Sequence, residues 1–468
     1  MSNVGVKIRR QATVRLALGA CLAGTAAIAP IALSAKSHAT EWPQQFKGKT
    51  LRVIGEATLN TQILTQLAPD FTTKTGIKVV IEQAPYDALV QKATLDFASK
   101  KGSYDVLSIP YEYLGAFAEK KYLTPDILNK GGDAPGYSSA DLIPALWKAS
   151  SDWKGKVYGA PSNSAVMMMM YRKDLYSNPA ERAAFQKKYG YALAPAKTWT
   201  QYRQIAEFFT RKKGQTLAGK KLDRDFYGLT LTGKRHVATA LEFFNYAWSN
   251  GGGFFTKGGQ PAINSAGNVK GLTYELSLTN FAPPAYTTTT WDEMTTAFQQ
   301  GTIAQAIAWG DTAGGLEDPK ASKVVGKMGY ASIPVAVAGN TPIAHLGSWT
   351  YSVNADSRNQ DAGALFIKWA LSRDIQTKMS QGGGLPASAP VFKDPALIKK
   401  LPYWKQELVS LSQAKSRPRI PQWGAMAEVL QEDISKALGR SASPKSALDD
   451  AQKRITDVLK GALPVTYE

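Results

Sequence analysis

Cysteine is almost missing from this 468-residue chain, with Cys21 the only one. Without a second thiol no intramolecular disulfide forms, and no thiolate metal cluster can be built. Histidine is nearly as scarce: beyond His38 the chain has only His236 and His345, too few for a His-rich metal centre. No P-loop, dinucleotide fingerprint, G-x-S-x-G elbow or H-E-x-x-H is present, so nucleotide chemistry, serine hydrolysis and zinc proteolysis lack their usual residues. Runs of five or six bases and arginine-rich arms are also absent. The net charge of +19 therefore reads as a scattered basic face, and no nucleic-acid partner is expected. Neither a cofactor nor a metal is implied.

What is present begins at the N-terminus. Lys7, Arg9, Arg10 and Arg15 precede an uncharged run from Leu16 to Ala35, and no acid occurs before Glu41. Ser37-His38-Ala39 then has the small-x-small form of a cleavage site. This order predicts an export signal over residues 1–39, removed near Ala39 to leave a periplasmic protein. Ala, Gly, Thr and Pro30 keep the run only mildly apolar, which favours a removed signal over an anchor. Arg9-Arg10 leaves the twin-arginine route open beside the general one. Cys21 follows Leu18-Gly19-Ala20, but most of the apolar run lies after it, whereas lipid attachment needs that run before. Removing 39 of 468 residues leaves 429. It also removes five of the 56 Lys and Arg but none of the 37 acids, so the charge falls from +19 to +14. A chain of that length exceeds one core and suits two.

Periodicity supplies the fold class. Leu51–Gly55, Ile77–Ile81 and Asp105–Ile109 read as strands, separated by helical spacing over Thr61–Thr75 and Tyr86–Ser99. Such a series implies a parallel sheet with helices on its faces. Ligands in these sheets lie beyond the carboxyl ends of the strands, which groups Glu56, Thr58, Tyr111, Glu112 and Tyr113 around one crevice. A second α/β series follows. Its strands are expected at Ala165–Tyr171, Gly228–Leu231, Ile303–Trp309 and Met328–Ile333. Its helices are expected at Trp199–Lys212, Val237–Asn250 and Trp291–Gln300.

Four segments, in order along the chain, resemble the family 1 extracellular solute-binding proteins of ABC importers, the group that includes maltose-binding protein. They are Phe71-Thr-Thr-Lys-Thr-Gly-Ile-Lys-Val79; Tyr104-Asp-Val-Leu-Ser108 with Tyr122-Leu-Thr-Pro125; Val157-Tyr-Gly-Ala-Pro161 with Tyr171-Arg-Lys-Asp174; and Ile420-Pro-Gln-Trp423 with Ala447–Ile455. The resemblance implies an α/β fold of two lobes joined by hinge strands around a cleft. Residues 40–157 and 352–400 would form one lobe, and residues 158–351 and 401–468 the other. It implies a sugar or sugar alcohol as ligand, a membrane permease as partner, a monomer, and no catalysis.

Sugar recognition needs aromatic faces for C–H surfaces and planar polar groups for hydroxyls. By the resemblance, Glu56 and the Tyr111-Glu112-Tyr113 loop would contact ligand from the first lobe, with Glu112 accepting from hydroxyls. Trp309 would be a stacking platform and Asp311 an acceptor beside it. Trp349, Arg419 and Trp423 would complete the cleft, although Ala427 stands where maltose-binding protein has its late stacking aromatic. The same acids and aromatics also suit a cationic ligand such as a polyamine. A secreted glycoside-acting enzyme, with Glu56 and Glu112 as paired carboxylates, is the more distant alternative.

Overall fold

The computed structural model describes residues 41–466. The expected export signal, Cys21 and the cleavage position near Ala39 lie outside the described residues.

Two sheets organise the chain. The first runs in the order Lys78–Ala84, Thr50–Glu56, Val106–Pro110, Trp349–Val353, Ala160–Pro161. Its first three strands are parallel, with Glu56 paired opposite Ala84. The last two run antiparallel to their neighbours. Helix Leu59–Thr75 packs on this sheet through Ile63, Leu64, Ala68 and Phe71. It ends at Gly76, whose φ of 70° is a left-handed cap that a side chain would disfavour. Phe71 meets Phe366 edge to face at 5.3 Å, which docks helix Gln360–Ala370 on the same face.

The second sheet runs in the order Tyr227–Leu229, Ile303–Trp309, Met167–Arg172, Met328–Ala331. Met167 to Met170 are all buried, as flexible unbranched fillers at the centre of the sheet. Helix Val237–Ser249 is apolar nearly all round, with every residue from Val237 to Trp248 buried. It lies beneath helices Ala266–Leu278 and Trp423–Leu438, and helix Pro444–Val458 packs outside them.

The chain leaves the first sheet at Pro161 and enters the second at Met167; it returns to the first at Trp349. These two crossings are laced together. Gly347 N–H donates to Ala165 O at 2.8 Å, and the Asn163 side chain accepts from Trp349 N–H at 3.1 Å.

The expected strands and helices appear with ends shifted by a few residues. Tyr86–Ser99, Trp291–Gln300 and Ile303–Trp309 have the expected bounds. Helix Ala266–Leu278 carries little periodic signal because Gly267 and Gly271 stand where apolar side chains would mark its packed face. Gly271 lets two helices touch through backbone, since a Cβ there would lie 2.8 Å from Ala247 Cα, and Gly267 admits the turn at residues 250–252. Alanine is the better helix former by about 1 kcal/mol, but steric overlap should dominate here. Gly271→Ala is therefore expected to lower stability by about 1–3 kcal/mol, the cost of overpacking, measured as a reduced calorimetric midpoint. An unchanged or raised midpoint would show that the helices can separate freely.

Candidate ligand cavity

The carboxyl ends of both sheets face one cavity of about 460 Å³. The first sheet sends in Glu56 from the end of its central parallel strand, then Tyr86 at the start of the helix after Ala84, then Trp349. The second sheet sends in Trp309 at the end of its strand and Asp311 in the tight turn that follows. Trp291 and Asp292 enter from the first turn of helix Trp291–Gln300, which is held by a capping box between Thr290 and Glu293.

Three tryptophans thus surround the space, and Trp309 owes its pose to a missing side chain. A Cβ on Gly347 would overlap the Trp309 ring, so only glycine lets the indole lie over the crossing backbone. Tyr86 holds the opposite wall. Its ring meets Trp349 and Trp291 edge to face, each at 5.7 Å. The indole N–H groups of Trp291, Trp309 and Trp349 have no protein acceptor among the described residues, so they are free to donate into the cavity.

Carboxylates dominate the charged lining: Glu56, Asp292, Asp311 and Asp318. The Glu56 carboxyl group receives no protein hydrogen bond among the described residues. Burial pushes its carboxyl well above the ordinary range, and the charges of Asp311, Asp292 and Glu112 push it further. Burial likewise raises Asp311 to about 6, against the pull of backbone N–H groups in its own turn. Arg417 is the only base in the lining, and it is already committed: its Nη1 donates to Glu112 Oε1 at 2.7 Å, with both side chains buried.

Of the nine residues singled out from sequence, the structure brings four to the cavity wall: Glu56, Trp309, Asp311 and Trp349. Five lie elsewhere. Glu112 points away from the cavity into the Arg417 ion pair and accepts from Tyr86 Oη at 3.1 Å. A carboxylate this deeply buried needs a fixed counter-charge, and Arg417 supplies it. Tyr111 is fully buried under the same guanidinium, its hydroxyl accepting from Arg417 N–H at 2.7 Å. Tyr113 is half-buried and stacks on Phe117 at 5.7 Å. Arg419 donates to Asp152 O at 2.6 Å. Trp423 is fully buried against the Phe254 edge at the head of its helix, as a core residue. Trp291, Asp292 and Arg417 were not anticipated. Trp291 carried the signal of a capped helix start beside an aromatic, whereas Arg417 sits in an irregular segment with no pattern to mark it.

Comparison with known proteins agrees with this architecture. Residues 57–377 match the family described as bacterial extracellular solute-binding protein. A probable amino-acid ABC transporter periplasmic-binding protein of Sinorhizobium fredii is 25% identical, over 91% of this chain and 93% of that protein. A solute-binding protein of Agrobacterium vitis with bound D-mannitol superposes with a TM-score of 0.76 at 25% identity, covering 89% of this chain and 99% of that one. Another from Agrobacterium radiobacter, in complex with ribitol, gives a TM-score of 0.75 at 26% identity, covering 88% and 99%.

The crowded carboxylates carry a cost in the empty protein. An acid whose folded pKa is raised is neutral to stability below its unfolded value near 4, destabilises the fold increasingly as pH rises above that value, and exerts its full penalty above its folded pKa. For Asp311 the penalty grows from about pH 4 to the folded value of about 6 and is complete above it. Asp311→Asn should therefore raise the midpoint of ligand-free protein at pH 7.5, with the gain shrinking towards pH 4. Calorimetry across that range tests it; a variant less stable at pH 7.5 would mean the carboxylate is satisfied by the protein.

Proposed function

The chain belongs to the bacterial extracellular solute-binding protein family, and from that premise we propose that it captures a sugar alcohol or small sugar and delivers it to an ABC permease. The observation that carries this reading is the meeting of three indoles with the carboxylates of Glu56, Asp292 and Asp311 in one cavity. Hydroxyl groups donate to the carboxyl oxygens of Asp311 and Glu56, while C–H surfaces lie on the tryptophan faces. An amino acid, the ligand in the name of the Sinorhizobium relative, fits less well. Its carboxylate would meet several acids and one arginine already paired with Glu112. No group in the lining is assigned a catalytic step; the ligand leaves unchanged.

The protein works outside the cytoplasm as a monomer, after removal of a signal near Ala39. The first lobe extends past the bounds 157 and 352 expected from sequence, because strands Ala160–Pro161 and Trp349–Val353 belong to the first sheet: residues 40–161 and 349–400 form one lobe and the remainder of the exported chain the other. The laced crossings at 162–166 and 346–348 act as the hinge.

A thermal-shift screen with ribitol, D-mannitol, maltose, glutamate and putrescine tests the reading. A polyol or sugar should raise the midpoint, by the equivalent of about 2.7 kcal/mol at 100 times its dissociation constant. Stabilisation by glutamate or putrescine alone would overturn it. Trp309→Ala should then weaken that ligand by about 1–3 kcal/mol, the scale of one well-buried aromatic contact. Calorimetric titration of the folded variant supplies the measurement.

A further inference from the structure

A contact at the rim of the cavity joins the two halves of the molecule without belonging to the ligand's surroundings. His236 precedes helix Val237–Ser249 on the second half, and its Nδ1 accepts from Ala238 N–H at 3.1 Å as that helix's cap. With Nδ1 held as an acceptor, a neutral ring must carry its proton on Nε2. Nε2 lies 3.4 Å from Asp87 Oδ2, on helix Tyr86–Ser99 of the first half. The His236 side chain is 10% exposed and Asp87 is 72% exposed, so the pair sits where buried interface meets water. His236 also packs edge to face on Trp291 at 4.7 Å and on Tyr86 at 6.2 Å, the two cavity aromatics nearest this rim. One imidazole therefore touches two groups of the first half, Asp87 and Tyr86, that must part from it if the halves separate, and none of its own atoms lines the cavity.

We propose that His236 and Asp87 form a latch that holds the cavity closed, making His236 a positioning residue for Tyr86 and Trp291 that sets how often the protein opens. The latch rests on the hinged reading above but not on the identity of the ligand. Each role of His236 uses a different nitrogen, so the cap and the latch can be tested apart. Other charges facing the imidazole are Lys234 on its own loop, and Asp292 and Glu293 on the helix of Trp291. Neither acid is placed to replace Asp87, because both follow Trp291 on the second half.

The measurement is the distance between spin labels on the exposed residues Ala98 and Ala184, each replaced by cysteine in the exported protein. No ligand is needed, so failure of the sugar reading would leave this result intact. Asp87→Asn alters an exposed residue and should leave the fold unchanged. It is expected to increase the open fraction by roughly two- to fivefold, the scale of one partly exposed charge-assisted contact. His236→Asn keeps a good helix cap and loses the latch. It should open the protein to a similar degree, and the double variant should open it no further. The exchange His236→Asp with Asp87→His retains a capping residue and restores the pair, so it should return the distances to those of the parent. Unchanged distances in Asp87→Asn, additive opening in the double variant, or an exchange that folds but stays open would each overturn the latch.

Discussion

The buried pair between Arg417 and Glu112 is the constraint on which the cavity depends. Both side chains are almost wholly removed from water, and a lone charge there would cost about 3–5 kcal/mol if its partner were lost. Their union fixes more than charge. The Arg417 guanidinium lies 4.9 Å over the Tyr111 ring, and its Nη2 donates to Leu346 O at 3.4 Å, beside one hinge crossing. Glu112 in turn accepts from Tyr86, setting the ring that backs Trp349 and Trp291. A segment late in the chain thereby locks a loop of the first sheet and, through it, one wall of the ligand space.

A second constraint is the deliberate absence of side chains at two turns. Gly347 leaves room for the Trp309 ring, and Gly310 leaves room for the buried Glu407 carboxylate beneath Asp311. Neither position needs left-handed backbone; both need closeness. Burial and the nearby Asp311 charge push the Glu407 carboxyl well above the ordinary range. Acids thus crowd the cavity and the layer behind it at a cost to the empty fold. That tension suits a binding protein: the lining carboxyl groups are available to a hydroxylated solute, and the solute then relieves the strain.

Fold class and element order were legible because they follow from local rules, and so was one residue of the cavity. Hydrophobic period 2 and period 3.6 fix strands and helices, and parallel strands place loops at their carboxyl ends, which places Glu56; Trp309, Asp311 and Trp349 follow instead from the family resemblance. The Tyr111-Glu112-Tyr113 loop obeyed the same rule and still turned inward. Whether a carboxylate at a strand end faces a cleft or a core depends on where its counter-charge lies. Here that counter-charge is 305 residues away in sequence. Helix Ala266–Leu278 went unseen for a related reason, since glycine-mediated contact leaves no apolar stripe.

The sequence by itself determined an α/β chain stabilised without disulfides, with the order of its elements and the strand ends that carry ligand-facing residues. These properties rest on spacing and composition, which act within a few residues. Tertiary structure decided which aromatics share one cavity, that Arg417 neutralises Glu112 rather than a ligand, and that His236 meets Asp87 across the rim. Those outcomes depend on contacts between segments distant in the chain, where no local pattern records the partner.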